Sequence, residues 1–154
     1  MRTLVILCLL FSSFSFSQTK IYRGEYASFM ELIYTISNKV IRRMASSNSG
    51  NDIMFLNGNK VYSDAFKSEC LYTISGNKVY KGDSDSPFNL LYEMKDGQFF
   101  QASNSTLNRC IFTLYNNQVF VGDSRSTFEC LYTVEFDENV NNKEILMFLC
   151  LAPY

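Results

Sequence analysis

A five-residue motif that recurs every 20 residues limits this chain to folds built by repeating one small unit. Each copy begins with Cys or Leu, followed by an apolar and then an aromatic residue. The copies are Cys70-Leu-Tyr-Thr-Ile74, Leu90-Leu-Tyr-Glu-Met94, Cys110-Ile-Phe-Thr-Leu114 and Cys130-Leu-Tyr-Thr-Val134. A second segment lies between them and occurs as Asn77-Lys-Val-Tyr-Lys-Gly-Asp-Ser84, Gln98-Phe-Phe100 and Gln118-Val-Phe-Val-Gly-Asp-Ser124.

The repeat pattern also extends toward both ends of the chain. Ile21-Tyr-Arg-Gly24 with Leu32-Ile-Tyr-Thr-Ile36 aligns without a gap on the segment from Val79 to Met94. We count about six units. The last, around Glu138 to Tyr154, keeps Cys150 but loses the rest of the pattern, as expected of a terminal cap. We therefore predict one repeat domain over residues 18–154.

Each unit is predicted to form a β-hairpin with a tight turn. In one unit, two β-favouring runs are separated by Ser75-Gly76-Asn77. The equivalent breaks are Asn57-Gly58-Asn59, Lys95-Asp96-Gly97 and Tyr115-Asn116-Asn117. Gly, Asn and Asp tolerate the positive φ angles of such turns. Longer links such as Gly82–Phe88 and Gly122–Phe128 are rich in turn-forming residues and join the hairpins. No segment has sustained helical periodicity, and residues 42–50 are predicted to form an irregular insertion.

These hairpins predict an all-β fold, an antiparallel meander of tandem 20-residue units. If Ile74 pairs with Val79, one face also carries Cys70, Tyr72 and Lys81, and the other carries Leu71, Thr73 and Tyr80. Neither face is polar, so we expect a sheet that is covered on both sides or curled on itself. Two architectures stay open: a closed barrel or prism, and a stacked hairpin solenoid. Closure removes the exposed sheet edges.

Four cysteines, Cys70, Cys110, Cys130 and Cys150, are assigned to the repeat position that Leu occupies in other units. A residue that alternates with Leu is expected to be a small buried apolar group. The alternative is a set of disulfides, which an oxidising compartment would permit. In a meander, equivalent cysteines of successive units lie beyond the roughly 7 Å between Cα atoms that a disulfide can span, whereas solenoid stacking would allow it.

The N-terminus predicts export. Met1 and Arg2 precede an apolar run from Leu4 to Phe11, and small residues follow it. This order is typical of a secretory signal peptide, which we assign to residues 1–17 with cleavage before Gln18. The run is far shorter than the roughly 20 residues that cross a bilayer, and no second stretch approaches that length. We expect a bacterial protein in the periplasm, at the outer membrane or outside the cell, with no transmembrane segment after cleavage.

The composition argues against several classes of function. The chain contains no His, which excludes His-based triads, His-ligated metals and imidazole acid–base chemistry. Its formal charge of −1 leaves no basic face for nucleic acid. Asp83, Ser84 and Asp85 supply too few oxygen ligands for calcium, and evenly spaced cysteines lack the close pairs of zinc sites. We therefore expect no catalytic, cofactor or metal site, and a protein that is not an enzyme.

Repeated aromatic residues are the remaining candidates for ligand or partner contacts. They are Tyr72, Tyr80, Tyr92, Phe112, Phe120 and Tyr132. Such rings could line grooves between hairpins, or they could be cross-strand pairs that hold the sheet. The unit length and aromatic placement over residues 53–136 resemble choline-binding-type wall repeats, which implies ligands between successive hairpins. The tryptophans of that family are absent, so its ligand is not carried over. The chain also resembles exported bacterial proteins with NKVYKG- and LYTI-like tandem repeats.

From these features we expect a protein that works by contact. The first hypothesis is an accessory subunit of a cell-envelope assembly, with a protein partner. The second is a carbohydrate- or small-ligand-binding module that uses the aromatic grooves. The third is a self-assembling surface protein, which unpaired strand edges would permit.

Overall fold

A computed structural model describes residues 18–44, 50–103, 106–137 and 141–151. These residues form twelve β-strands and one α-helix, α1, at Asn142–Leu149. The strands, β1 to β12 in chain order, are Thr19–Arg23, Leu32–Ser37, Val40–Met44, Gly50–Asn57, Lys60–Tyr62, Cys70–Ser75, Lys78–Lys81, Leu90–Lys95, Gln98–Ser103, Thr106–Tyr115, Gln118–Val121 and Cys130–Glu135. Short 3₁₀ turns at Phe29–Glu31, Pro87–Asn89 and Thr127–Glu129 directly precede β2, β8 and β12.

The strands form one closed antiparallel barrel in which each strand pairs with its neighbours in the sequence. The ring is closed by β1, which pairs with β12 as well as with β2. This topology confirms the predicted all-β meander and selects the closed barrel over the hairpin solenoid. Because the ring closes, every strand among these twelve has a partner on both sides, and no sheet edge is left unpaired.

The sixth hairpin is formed from both ends of the chain, which corrects the predicted last unit. β12 supplies the Cys-Leu-Tyr-Thr-Val strand and β1 supplies the strand that contains Ile21, in the register Ile21 to Val134. Within the predicted last unit, the described residues 142–149 form α1 and not a strand of a hairpin. The physical reason is closure, because a terminal hairpin outside the ring would leave β1 and β12 as open edges.

The tight turns confirm the predicted hairpin chemistry. Both central residues have positive φ in Asp96-Gly97 and in Asn116-Asn117, and Gly58 and Gly76 have φ of 65° and 62°. The turns also tie the hairpins together. In five of them the carbonyl of the second turn residue accepts a hydrogen bond from the next hairpin, such as Asn77 O from the Met94 amide at 2.8 Å. At the tight-turn end of the barrel, these backbone hydrogen bonds therefore link each hairpin from β2 to β11 to the hairpin or strand that follows it.

Helix α1 lies inside the barrel and fills its core. One cross-strand pair from each hairpin faces it, and the six pairs are Ile21–Val134, Ile36–Ile41, Leu56–Val61, Ile74–Val79, Met94–Phe99 and Leu114–Val119. The helix starts near the tight-turn end, where Lys143 Nζ donates to the Gly58 carbonyl at 3.0 Å. Leu146, Met147, Phe148 and Leu149 are all buried against the strands.

The helix also corrects the expectation that no segment would be helical. A helix on a protein surface shows alternating apolar and polar faces, but an enclosed helix is apolar all round. After Glu144 the sequence Ile-Leu-Met-Phe-Leu has no polar face, since the barrel surrounds it. Its start was nevertheless readable, because Asn141 and Glu144 form a capping box with both hydrogen bonds at 3.1 Å.

The predicted irregular insertion at 42–50 is partly wrong. Residues Arg42 to Met44 complete β3, and Gly50 begins β4, while 45–49 lie outside the described residues. The predicted signal peptide at 1–17 lies outside them as well. Within the described ranges, no helix is long and apolar enough to cross a membrane.

Candidate functional site

Most of the aromatic side chains predicted as contact residues are buried. Tyr80, Phe112, Phe120 and Tyr132 are 9%, 4%, 2% and 6% exposed. The other two, Tyr72 and Tyr92, are half-buried and pack against the core. The prediction of surface contact is therefore wrong for the four buried residues, because the inner rings fill the barrel beside α1 and the outer rings pack in cross-strand pairs.

The recurrent cysteines belong to a repeated structural contact with Thr and Gly. In one copy, Cys110 Sγ and Thr113 Oγ1 both donate to the Gly122 carbonyl, at 3.2 and 2.7 Å. Cys70 and Thr73 make the same pair of bonds to Gly82. Cys130 and Thr133 make it to Gly24, across the closure between β12 and β1. The three glycines have φ between 60° and 78°, a conformation that favours glycine.

A β-bulge explains why Cys and Thr share a face although they are three residues apart. The register between β5 and β6 shifts so that Val61 opposes Tyr72 while Tyr62 opposes Cys70. The predicted placement of Cys70 on the face of Tyr72 and Ile74 is therefore wrong, since the extra residue at Leu71 turns Cys70 to the opposite face.

All four cysteines are free thiols in the structure. Burial raises the pKa of the Cys110, Cys130 and Cys150 thiols, which favours their protonated form. Cys150 does not occupy the repeat position, because it caps the C-terminus of α1. Within the described ranges, no group of three or more Cys, Asp and Glu side chains could hold a metal ion.

The prominent exposed feature is a set of longer connections at the other end of the barrel. In an antiparallel meander the connections alternate between the two ends, so every link that is not a tight turn leaves from the same end. Four of these links are described, and we call them together the wide rim: 24–31, 63–69, 82–89 and 122–129. They fold along the outer wall, where Asp83 pairs with Lys60 at 3.8 Å and the Glu25 carbonyl accepts from Gln118 at 3.1 Å.

Each connection of the wide rim carries a phenylalanine that is exposed to solvent. Phe29, Phe66, Phe88 and Phe128 are 68%, 93%, 93% and 98% exposed, and Tyr26 and Met30 add two more large apolar side chains. Three of the four phenylalanines lie in the 3₁₀ turns that directly precede β2, β8 and β12. The repeat therefore places apolar groups at related points around one end of the barrel.

The wide rim is also acidic. Its four connections contain eight Asp and Glu residues and two Lys and Arg residues, a net formal charge of −6. The whole chain has a formal charge of −1, so the acidic charge is concentrated on this surface. Exposed rings surrounded by carboxylates suit contact with a partner that is apolar and basic.

The prediction from sequence does not include the rim phenylalanines, because they lie in the links between the periodic strands. Phe88 and Phe128 end the links predicted from sequence, and their equal offset from Leu90 and Cys130 was the available signal. These two phenylalanines are exposed and contribute nothing to the core, which the strands and α1 form. They are therefore better candidates for contact than the aromatic residues of the strands.

Comparison with known proteins assigns the repeat to a described family. A family model described as a 6-fold beta flower protein matches residues 13–103 and, in a second overlapping match, 63–147. The six hairpins of the barrel agree with that description. No curated protein and no solved structure matches the chain. The comparison supports a tandem-repeat β protein and does not support the resemblance to choline-binding-type repeats.

Proposed function

The chain belongs to the 6-fold beta flower proteins, and from that fold we propose that it is an exported, non-catalytic protein that docks a protein partner at the cell envelope through its wide rim. The observation that supports this proposal is the exposure of Phe29, Phe66, Phe88 and Phe128. The proposed export rests on the signal-peptide pattern of residues 1–17.

Exposed phenylalanines at repeated positions favour docking over a purely structural role. Full burial of a Phe side chain is favourable by about 1.5–3 kcal/mol, which these residues do not gain within the barrel. Large rings that fill pockets on a partner are typical energetic centres of protein interfaces. The phenylalanines are held by connections between the strands of a closed barrel. Little conformational entropy is therefore lost when the partner binds.

The charge of the rim indicates the chemistry of the partner. A net charge of −6 over four connections would accelerate association with a basic surface and would oppose an anionic one. We therefore propose a partner that is positively charged around apolar pockets. Binding should weaken with added salt, since electrostatic attraction between exposed charges is screened over about 10 Å at 0.1 M.

The test is capture of the partner from the native envelope with mild crosslinking and mass spectrometry. The double variant Phe88→Ser with Phe128→Ser should lose the partner by about tenfold or more, because two interface anchors are removed. The matched control, Phe88→Tyr with Phe128→Tyr, keeps both rings and should retain most of the binding. Both variants should unfold at the temperature of the wild type, since the side chains are exposed.

Three outcomes would oppose the proposal. The first is a partner that the serine variant captures as well as the wild type. The second is capture of the bait alone. The third is concentration-dependent sedimentation of the purified protein that the serine variant abolishes, which would reassign the rim to self-assembly.

A further inference from the structure

One outer position of the barrel departs from the repeat. The cross-strand pair next to each inner pair lies on the outer face, and its six examples are Tyr22–Thr133, Thr35–Arg42, Phe55–Tyr62, Thr73–Tyr80, Glu93–Phe100 and Thr113–Phe120. In five of these pairs an aromatic residue lies on the strand that follows the tight turn or, where the ring closes, on β1. These residues are Tyr22, Tyr62, Tyr80, Phe100 and Phe120. The hairpin of β2 and β3 places Arg42 there.

The substitution coincides with a cleft on the outer face. Two adjoining hollows of about 340 and 270 Å³ share Gln18, Thr35 and Arg42 as lining residues. The guanidinium is held in place because Arg42 Nε donates to Asp52 Oδ1 at 2.7 Å. That hydrogen bond uses one of the five N–H donors of an arginine.

The lining of the cleft divides into a cationic, polar part and an apolar part. Lys20 and Arg42 are its only charged lining residues among those described, and each is paired with a carboxylate: Lys20 Nζ lies 3.6 Å from Glu135 and Arg42 Nε lies 2.7 Å from Asp52. Amide and hydroxyl groups stand beside them. The polar neighbours are Gln18, Thr35, Ser37 and Asn38. The apolar part is formed by Tyr22, Phe29, Leu32 and Met44. The guanidinium of Arg42, the amide and hydroxyl groups and the apolar part together suit a ligand that carries a negative group, several hydroxyls and an apolar face.

We propose that this cleft binds a carboxylated sugar unit of an acidic glycan. Arginine recognises a carboxylate through its planar fork of donors, and the hydrogen bond to Asp52 uses the Nε of Arg42. The amide and hydroxyl groups match sugar hydroxyls, and the apolar face of a sugar ring matches Phe29 and Leu32. A fatty acid fits less well, because polar side chains line much of the cleft. This site is separate from the contacts proposed for the wide rim, apart from Phe29.

The chain offers a variant that closes the cleft without opposing the fold. Arg42→Tyr restores the aromatic residue that the other hairpins have at this position, so we expect the thermal stability to be retained. The matched control is Arg43→Tyr. Arg43 pairs with Tyr34, which packs against the core, so it lies on the opposite face of β3 from Arg42.

The experiment is a calorimetric titration of the purified protein with a galacturonic acid trimer, compared with a neutral galactose trimer. We expect the acidic trimer to bind about tenfold or more tightly than the neutral one, since the pair with Arg42 is lost in the latter. Arg42→Tyr should reduce binding of the acidic trimer to the level of the neutral trimer, and Arg43→Tyr should bind it like the wild type.

Sodium acetate and a short peptide with a free C-terminal carboxylate serve as competitors, because they carry the carboxylate without the sugar. If either competes with the acidic trimer at comparable concentration, the cleft recognises a carboxylate alone and the sugar assignment is overturned. Equal binding of both trimers, no binding of either, or unchanged binding to folded Arg42→Tyr would also overturn it. Loss of the partner of the wide rim would leave each of these outcomes unaffected.

Discussion

Among single residues, Tyr22 shows how the closed barrel changes the chemistry of a side chain. Its hydroxyl donates to Glu135 Oε2 at 2.7 Å, across the pair of strands that closes the ring. Burial, then the hydrogen bond to Glu135 and the negative charge of that residue, raises the pKa of Tyr22 from 10.0 to about 12. The unfolded chain keeps the ordinary value, so the neutral phenol stabilises the fold below pH 10. This contribution is lost as the pH rises from 10 to 12.

The variant Tyr22→Phe tests this linkage. At pH 8 we expect it to be about 1 kcal/mol less stable than the wild type, because one hydrogen bond is lost. Between pH 10 and 12 the wild type should lose stability that the variant cannot lose, so the difference between them should narrow. Urea unfolding at a series of pH values measures this difference in the free energy of unfolding. A difference that stays constant across this window would contradict the assignment.

For single residues, the repeat pattern predicted that the cysteines are buried but not which groups they contact. Cys70, Cys110 and Cys130 were predicted as buried apolar groups, and the thiols are indeed partly buried and free. The carbonyl of Gly82 or Gly122 that each pair of Cys and Thr shares could not be foreseen, because a bulge changes the face of the cysteine. A residue is assigned to one face of a sheet on the assumption that successive side chains alternate between the faces. A bulge inserts an extra residue and breaks this alternation.

Among the elements, α1 converts a ring of hairpins into a filled core. Phe148 contacts Tyr132 edge to face with ring centroids 5.5 Å apart, and Tyr34 with centroids 6.2 Å apart. Leu146 and Met147 are fully buried beside it. Without the helix, the six inner pairs would face a space that has no apolar partner. The helix is therefore a structural part of the barrel and not an appendage.

Phe148→Ala measures how much the helix contributes. Truncation of a buried Phe typically costs about 3–5 kcal/mol, because apolar contacts are lost and a cavity remains. We expect a loss in this range in urea unfolding monitored by circular dichroism. Lys143→Ala, which removes a partly exposed hydrogen bond to Gly58, should cost less than about 1 kcal/mol. Similar losses for the two variants would show that α1 does not support the barrel.

The hairpins could be predicted from the sequence, whereas of the helix only the start carried a local signal, for one physical reason. A tight turn depends on local chemistry, such as positive φ at Asp96-Gly97, which is written in the residues themselves. The burial of α1 depends on strands far away in the chain, so its residues carry no polar face to reveal it. The same holds for the pairing of β1 with β12, which joins positions as distant as Ile21 and Val134.

For the whole molecule, stability depends on the strand that closes the ring. Ile21 of β1 is fully buried and is paired with Val134 on one side and Tyr34 on the other. If β1 left its place, β2 and β12 would both become open edges, and α1 would lose part of its cover. Opening at this one seam should therefore unfold the barrel as a unit.

Ile21→Asp tests the role of the seam. A buried carboxylate without a partner should destabilise the protein by more than about 4 kcal/mol, in a single cooperative transition. The exposed edges should also cause association, which light scattering after size-exclusion chromatography detects. Lys20→Gln, which removes an exposed ion pair with Glu135, serves as the control and should cost less than about 1 kcal/mol. Local fraying at β1 with the remaining strands intact would contradict a cooperative ring.

A ring in which neighbouring strands run in opposite directions must contain an even number of strands, and this sets a rule of arithmetic for the repeat. Gain or loss of a single strand would bring two parallel neighbours together at the seam, whereas gain or loss of a whole 20-residue unit keeps the alternation. The hairpin of β12 and β1 shows that the two strands of one unit can come from distant parts of the chain. Duplication of any 20-residue segment therefore adds one strand of each direction to the ring, wherever in the repeat the segment starts.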